Sequence, residues 1–177
     1  MQEYIRTELG QLFLEENLAF EFSDGVVRRR GRRHTVEQVN RAEVVLGDPR
    51  LPKARGHFNK ALKYFRNVAQ PDYENAVKEA VCAVEATARV CFPDGGTTLG
   101  EIVKSMAGSE SGQLPKAIAN TFYGLYGFRN SGEGVGHGGA EGGPVTKDLA
   151  EYALAVSASQ IVLLVNLAAS LDQDIPF

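Results

Sequence analysis

The chain has 177 residues, a formal net charge of -3, and 44% hydrophobic against 23% charged residues. That length sustains one core, alone or with a small appendage, and the composition excludes a disordered or fibrous chain. The acidic balance excludes a protein that coats nucleic acid over a whole face, so any nucleic-acid contact must be a local basic patch.

From the start of the chain, Gln2 to Glu16 sets Ile5, Leu9, Leu12 and Phe13 at helical spacing. Leu18 to Phe22 then alternates, Ser23-Asp24-Gly25 is a turn sequence, and Val26-Val27-Arg28 continues beyond it. The pattern predicts a short β-hairpin, which must pack on helices to be stable. Arg28-Arg29-Arg30-Gly31-Arg32-Arg33-His34 is the one dense basic block. Thr35 with Gln38 has the form of a capping box and predicts a helix start, with Val36, Val39, Val44 and Leu46 as its apolar positions. Gly47-Asp48-Pro49 ends it.

A further helix is expected from about Pro52 to Ala69, with Ala54, Phe58, Ala61, Leu62 and Phe65 inward. The clearest helix spans roughly 72 to 92, where Tyr73, Val77, Ala80, Val81, Val84, Ala88 and Cys91 mark the buried face. Thr98 with Glu101 is a second capping box, opening a short helix through Met106. Pro115 opens the helix that ends at Arg129, with Ile118, Phe122, Leu125 and Tyr126 as its apolar positions. Gly124 and Gly127 within it predict a closely approaching neighbour helix. Residues 131 to 144 hold seven glycines and predict a loop. The last helix, about Lys147 to Leu171, is apolar nearly all round and belongs at the centre of a bundle or in an oligomer interface. The expected fold class is all-α with one N-terminal hairpin. Residues 1–49 form the N-terminal helix, hairpin and connecting helix, and residues 50–177 the helical bundle.

Several chemistries find no support. The sequence shows no signal peptide pattern, and the run Ile161 to Ala169 is short for a bilayer span, which takes roughly 20 residues. Cys82 and Cys91 fall in one helix about 13 Å apart on opposite faces, so they are expected as reduced core thiols in a cytoplasmic setting. His34, His57 and His137 lack metal-ligand spacing with the cysteines, so no metal and no cofactor is expected. The glycine loop lacks the preceding strand and the lysine of a nucleotide-triphosphate loop.

The segment Phe128 to Gly139, FRNSGEGVGHGG, carries the candidate chemistry. An arginine can grip a phosphate bidentately and a histidine can move protons near neutral pH, so Arg129 and His137 are the candidate pair. Asn130 is placed to orient either group. Together they suffice to cleave a phosphodiester without a metal. Arg28, Arg29, Arg30, Arg32 and Arg33 are the candidate RNA-phosphate contacts.

Tyr73-Glu74-Asn75-Ala76 through Glu85-Ala86, with Phe128-Arg129-Asn130 and Gly136-His137-Gly138, resembles the core helix and the arginine–histidine signature of HEPN domains. The abortive-infection C-terminal type is the most similar, and the resemblance covers roughly residues 50 to 171. It implies a bundle of roughly four to five helices and a metal-independent endoribonuclease that works as a homodimer. It also implies RNA as substrate, and a phage-defence or toxin–antitoxin setting with an antitoxin or defence-system partner. Other members are similar to non-catalytic RNA-binding or assembly modules. The family spacing is roughly four to six residues, whereas Asn130 to Gly136 makes seven here; glycine can absorb the extra residue.

Overall fold

The computed structural model describes residues 2–16, 20–23, 26–29, 32–108, 112–130 and 145–173. Over these the protein is helical: α1 (Gln2–Glu15), α2 (Arg33–Val45), α3 (Pro52–Arg66), α4 (Tyr73–Cys91), α5 (Leu99–Gly108), α6 (Lys116–Asn130) and α7 (Lys147–Gln173). Strands β1 (Phe20–Ser23) and β2 (Val26–Arg29) lie between α1 and α2 and pair antiparallel, Phe20 opposite Arg29 and Ser23 opposite Val26. Asp24, Gly25, Arg30, Gly31 and the loop 131–144, with His137, lie outside the described residues.

Helix α4 is the axis of the bundle. Ala76, Val77, Ala80, Val81, Ala83, Val84 and Ala88 are all fully buried on it. These small side chains let α3 and α7 pack closely against its two sides, while α5 and α6 meet it elsewhere. Phe58 and Phe65 of α3 and Ile161 and Leu164 of α7 complete the same buried cluster. Val39, Ala42 and Leu46 belong to it too, so the division at residue 49 passes between two helices that share one core. Tyr73 packs partly buried against Phe65, ring centroids 6.1 Å apart.

Helix starts show which local signals hold. Asp72 caps α4, accepting from the Asn75 backbone N–H at 3.0 Å. The Thr98–Glu101 box forms in both directions: Glu101 N–H donates to Thr98 Oγ1 and Thr98 N–H to Glu101 Oε2. Gly96 before it has φ +134°, and an added Cβ would stand 2.5 Å from Glu101 Cβ, so only glycine fits this turn.

The Thr35–Gln38 box does not cap α2. That helix begins three residues earlier, with Arg32 as its N-cap residue in place of Thr35 and no side-chain cap of its own. The capping acceptor comes from α7: Glu151 Oε1 accepts from the Arg32 backbone N–H at 2.6 Å and from Thr35 Oγ1 at 3.0 Å. Thr35 and Glu151 are both buried. Replacing Glu151 by alanine removes the acceptor of the buried Thr35 hydroxyl and of the part-buried Arg32 N–H, and urea unfolding should show a loss of about 1–3 kcal/mol; a change within 0.5 kcal/mol, as for about any surface site, would refute this tertiary cap.

Other expectations are corrected. Val44 is 78% exposed, and Ala42 takes its place in the core. The α3 helix ends at Arg66 rather than Ala69. Ile118 is exposed. Cys82 and Cys91 are half-buried rather than core thiols, and neither is in a disulfide. Gly124 and Gly127 meet no neighbouring helix: a Cβ at either finds nothing within 4 Å. Gly124 instead lines a groove of about 280 Å³ between α6 and α7. Alanine at 124 should therefore raise stability by about 0.5–1 kcal/mol through helix propensity alone, measured by thermal melting. Loss of stability would mean that the glycine is needed for a contact.

Helix α7 buries Ala150, Ala153, Leu154, Ala158, Ile161 and Leu164, and leaves Leu149, Tyr152 and Leu171 exposed. Its span Lys147–Leu171, which holds an 18-residue window of mean hydropathy 1.9, is also long and apolar enough to cross a membrane by length and composition. Its packing on α2 and α4 makes it a core helix of this bundle.

Candidate functional site

The outer stripe of α4 carries Lys78, Cys82, Glu85 and Arg89, spaced four, three and four residues apart and so on one helical face. The last turn of α6 brings Arg129 against that stripe. Arg129 Nη1 donates to Glu85 Oε2 at 3.2 Å. Both side chains are mostly covered, 23% and 13% exposed. The other Glu85 oxygen accepts from Arg89 Nη2 at 2.6 Å, and Arg89 Nε donates to the Thr97 carbonyl at 2.6 Å. One carboxylate therefore holds two guanidiniums and leaves a net positive cluster with further N–H donors on Arg129. Partial burial strengthens its pull on an anion compared with a solvated arginine.

The Cys82 thiol lies in the same neighbourhood. Burial pushes its pKa up, opposed by the positive charge of Arg129 and reinforced by Glu79 and Glu85. It stays a thiol near neutral pH and is no candidate nucleophile. On the adjoining side of α4, His57 Nδ1 of α3 donates to Glu79 Oε2 at 2.6 Å, a half-buried pair that ties the two helices.

The candidate residues fall into three groups. Arg129 is positioned by Glu85, with Asn130 the next and last residue of α6. His137 and Arg30 lie outside the described residues. Arg28 and Arg29 belong to β2, opposite Glu21 and Phe20. Arg32 and Arg33 stand at the start of α2, where Arg32 pairs with Asp148 at 3.4 Å and Arg33 with Glu37 at 3.1 Å. Comparison with protein-family models, curated proteins and solved structures gives no match to this chain.

Sequence reading missed Glu85 as the partner of Arg129. The one available signal was its place on the polar stripe of an otherwise apolar helix, since the partner is 44 residues away. Among the described residues no group of three His, Cys, Asp or Glu side chains is placed to hold a metal ion.

Proposed function

We propose that the chain is a HEPN-like helical bundle with an appended N-terminal hairpin, and that it acts as a metal-independent endoribonuclease of a defence or toxin–antitoxin type. The observation that carries this reading is the Arg129 guanidinium. It is mostly covered, oriented by Glu85, and sits one residue before the end of α6, where the glycine-rich segment with His137 begins. A positioned cation beside an imidazole is the minimum that a 2′-hydroxyl needs to attack its own phosphate.

In the proposed step His137 takes the 2′-hydroxyl proton. The 2′-oxygen bonds to phosphorus, and the bond to the 5′-oxygen breaks. Arg129 steadies the charge on the phosphoryl oxygens, with Asn130 orienting the pair. One imidazole cannot both remove and deliver a proton in the same step, so a second copy supplies the other in a homodimer. The exposed Ile118, Tyr123, Leu149 and Tyr152 on α6 and α7 give such a copy an apolar face to cover. The products are a 2′,3′-cyclic phosphate and a 5′-hydroxyl. The arginines at 28, 29, 30, 32 and 33 add phosphate contacts, and an antitoxin or other defence-system partner restrains the enzyme in the cytoplasm.

The test is cleavage of a labelled RNA in excess chelator, with the product ends identified. Chelator-resistant cleavage leaving cyclic phosphate is the expected result. Binding without product would replace the enzyme by a non-catalytic RNA- or nucleotide-binding module. Absence of both binding and product would leave a dimerisation scaffold.

A further inference from the structure

Helix α3 is charged unlike any other helix of the bundle. Its sequence PKARGHFNKALKYFR holds five cations, Lys53, Arg55, Lys60, Lys63 and Arg66, and no acid, in a chain whose formal net charge is -3. Lys53, Arg55, Lys60 and Lys63 are exposed and Arg66 is half-buried. Two cations of other helices are paired with an acid one turn away, Arg33 with Glu37 and Arg89 with Glu85. None of the five has an ion pair among the described residues. Lys60, Lys63 and Arg66 follow at spacings of three, which brings like charges side by side and destabilises the isolated helix. A row of exposed cations with no ion pair among the described residues makes a local positive patch that attracts anions.

A cavity at the C-terminal end of this stripe gives that anion a seat. It has a volume of about 680 Å³ and is walled by Val27 of β2, Glu43 of α2, and Asn59, Leu62, Lys63 and Arg66 of α3. Arg66 Nε is covered and has no hydrogen-bond partner, on a side chain that is half-buried overall and lines this cavity. A covered guanidinium N–H without an acceptor is a costly state. Glu43 is exposed at the wall and is the one carboxylate there. The strand that contributes Val27 also carries Arg28 and Arg29, so the basic block continues toward the same place along the backbone.

We infer that α3 is a phosphate-tracking surface for RNA, with one backbone phosphate seated between Lys63 and Arg66. The inference rests on the ribonuclease reading and adds where the substrate strand lies. Helix α3 packs along α4, and α4 holds Arg129 through Glu85. A strand laid on α3 therefore runs on the helix pair that also positions the proposed cleavage cation. The recognition is of backbone charge, without base readout, because lysine and arginine stems on an exposed helix reach phosphates and no aromatic side chain is exposed among them.

The experiment is equilibrium binding of a fluorescein-labelled single-stranded RNA to the full chain across a salt series. The variants are Lys60→Gln/Lys63→Gln/Arg66→Gln and the milder Lys60→Gln/Lys63→Gln, whose sites are exposed and leave the fold intact. Arg50→Gln is the control, since Asp48 already holds that arginine. The triple variant should bind more weakly, with the slope of log affinity against log salt lower by about 2, and the double variant by about 1.4. The control should keep the parental slope. Parental slopes in both α3 variants, alongside cleavage that still depends on Arg129, would overturn this inference and spare the ribonuclease. Failure of the parent to bind or cleave RNA would overturn both. Loss of binding to phosphatidylserine vesicles in the variants, with RNA binding unchanged, would assign the surface to a membrane and overturn the inference.

Discussion

Arg129→Ala should lower chelator-resistant RNA cleavage by about 100-fold or more, the usual cost of removing one preorganised group that stabilises developing charge. The fold should survive the change. Glu85 keeps its bond to Arg89 at 2.6 Å, so no carboxylate is left buried and alone. Arg129→Lys separates charge from shape. A lysine restores a positive charge but not the planar fork, and should recover only part of the rate. His137→Ala should lose a similar factor, and unlike the arginine variants it should flatten the pH–rate profile on its acid-base limb. Glu85→Gln retains a hydrogen-bond acceptor while removing the charge that holds both arginines. It should raise KM or lower kcat without the full loss seen on deleting Arg129. Parental rates in both Arg129→Ala and His137→Ala, with thermal melts unchanged, would end the assignment.

Phe58→Ala should be the most damaging core change, costing about 3–5 kcal/mol. Phe58 is 0% exposed and sits in the cluster shared by α3, α4 and α7. Removing its ring leaves a cavity that packed helices fill only in part. Set against a typical stability of about 5–15 kcal/mol, the loss should shift the melting temperature by about 10 °C in a chain of this size. Val44→Ala is the internal contrast, since that side chain is 78% exposed and should change stability by less than about 0.5 kcal/mol. A cost under 1 kcal/mol for Phe58→Ala, below the lower end of about 3 expected for such a site, would mean that the α3–α4 seam is not packed as described.

The two predictions differ in how much of their basis can be read from sequence. Phe58 falls on a clean apolar repeat with Ala54, Ala61, Leu62 and Phe65, and all five are buried. Helical periodicity reports burial when one face of a helix meets one core, and α3 and α4 meet that condition. It misled at Val44, where apolar character alone did not distinguish the inward Ala42 from an outward valine. Capping boxes divide in the same way. Thr98 and Glu101 satisfy each other within one turn, so three residues of sequence suffice. Thr35 looked identical, yet its oxygen is spent on Glu151, 116 residues away. No local window holds that information.

The candidate site shows the same limit. Arg129 stood out because it adjoins an unusual glycine run, but the carboxylate that orients it belongs to another helix. The basic surface of α3 was hidden for a different reason. Its cations are interleaved with core residues, whereas the block at 28–33 is contiguous and draws attention. Two of that block, Arg32 and Arg33, turn out to be engaged with Asp148 and Glu37. Density of charge along the chain is thus a poorer guide to an open anion surface than the absence of nearby acids.

The Arg89 side chain has one end on the Thr97 carbonyl and the other on Glu85. Thr97 follows the left-handed Gly96, and its N–H is held by Glu101 at 2.8 Å. A chain of hydrogen bonds therefore links a tight bend on the surface to the guanidinium proposed to hold phosphate. Deforming that bend would tilt Glu85 and swing the cation, although the two ends share no substrate. Drift in the turn at 96 to 98 would then move the Arg129 guanidinium, and with it the rate of the proposed cleavage, without touching a reacting atom.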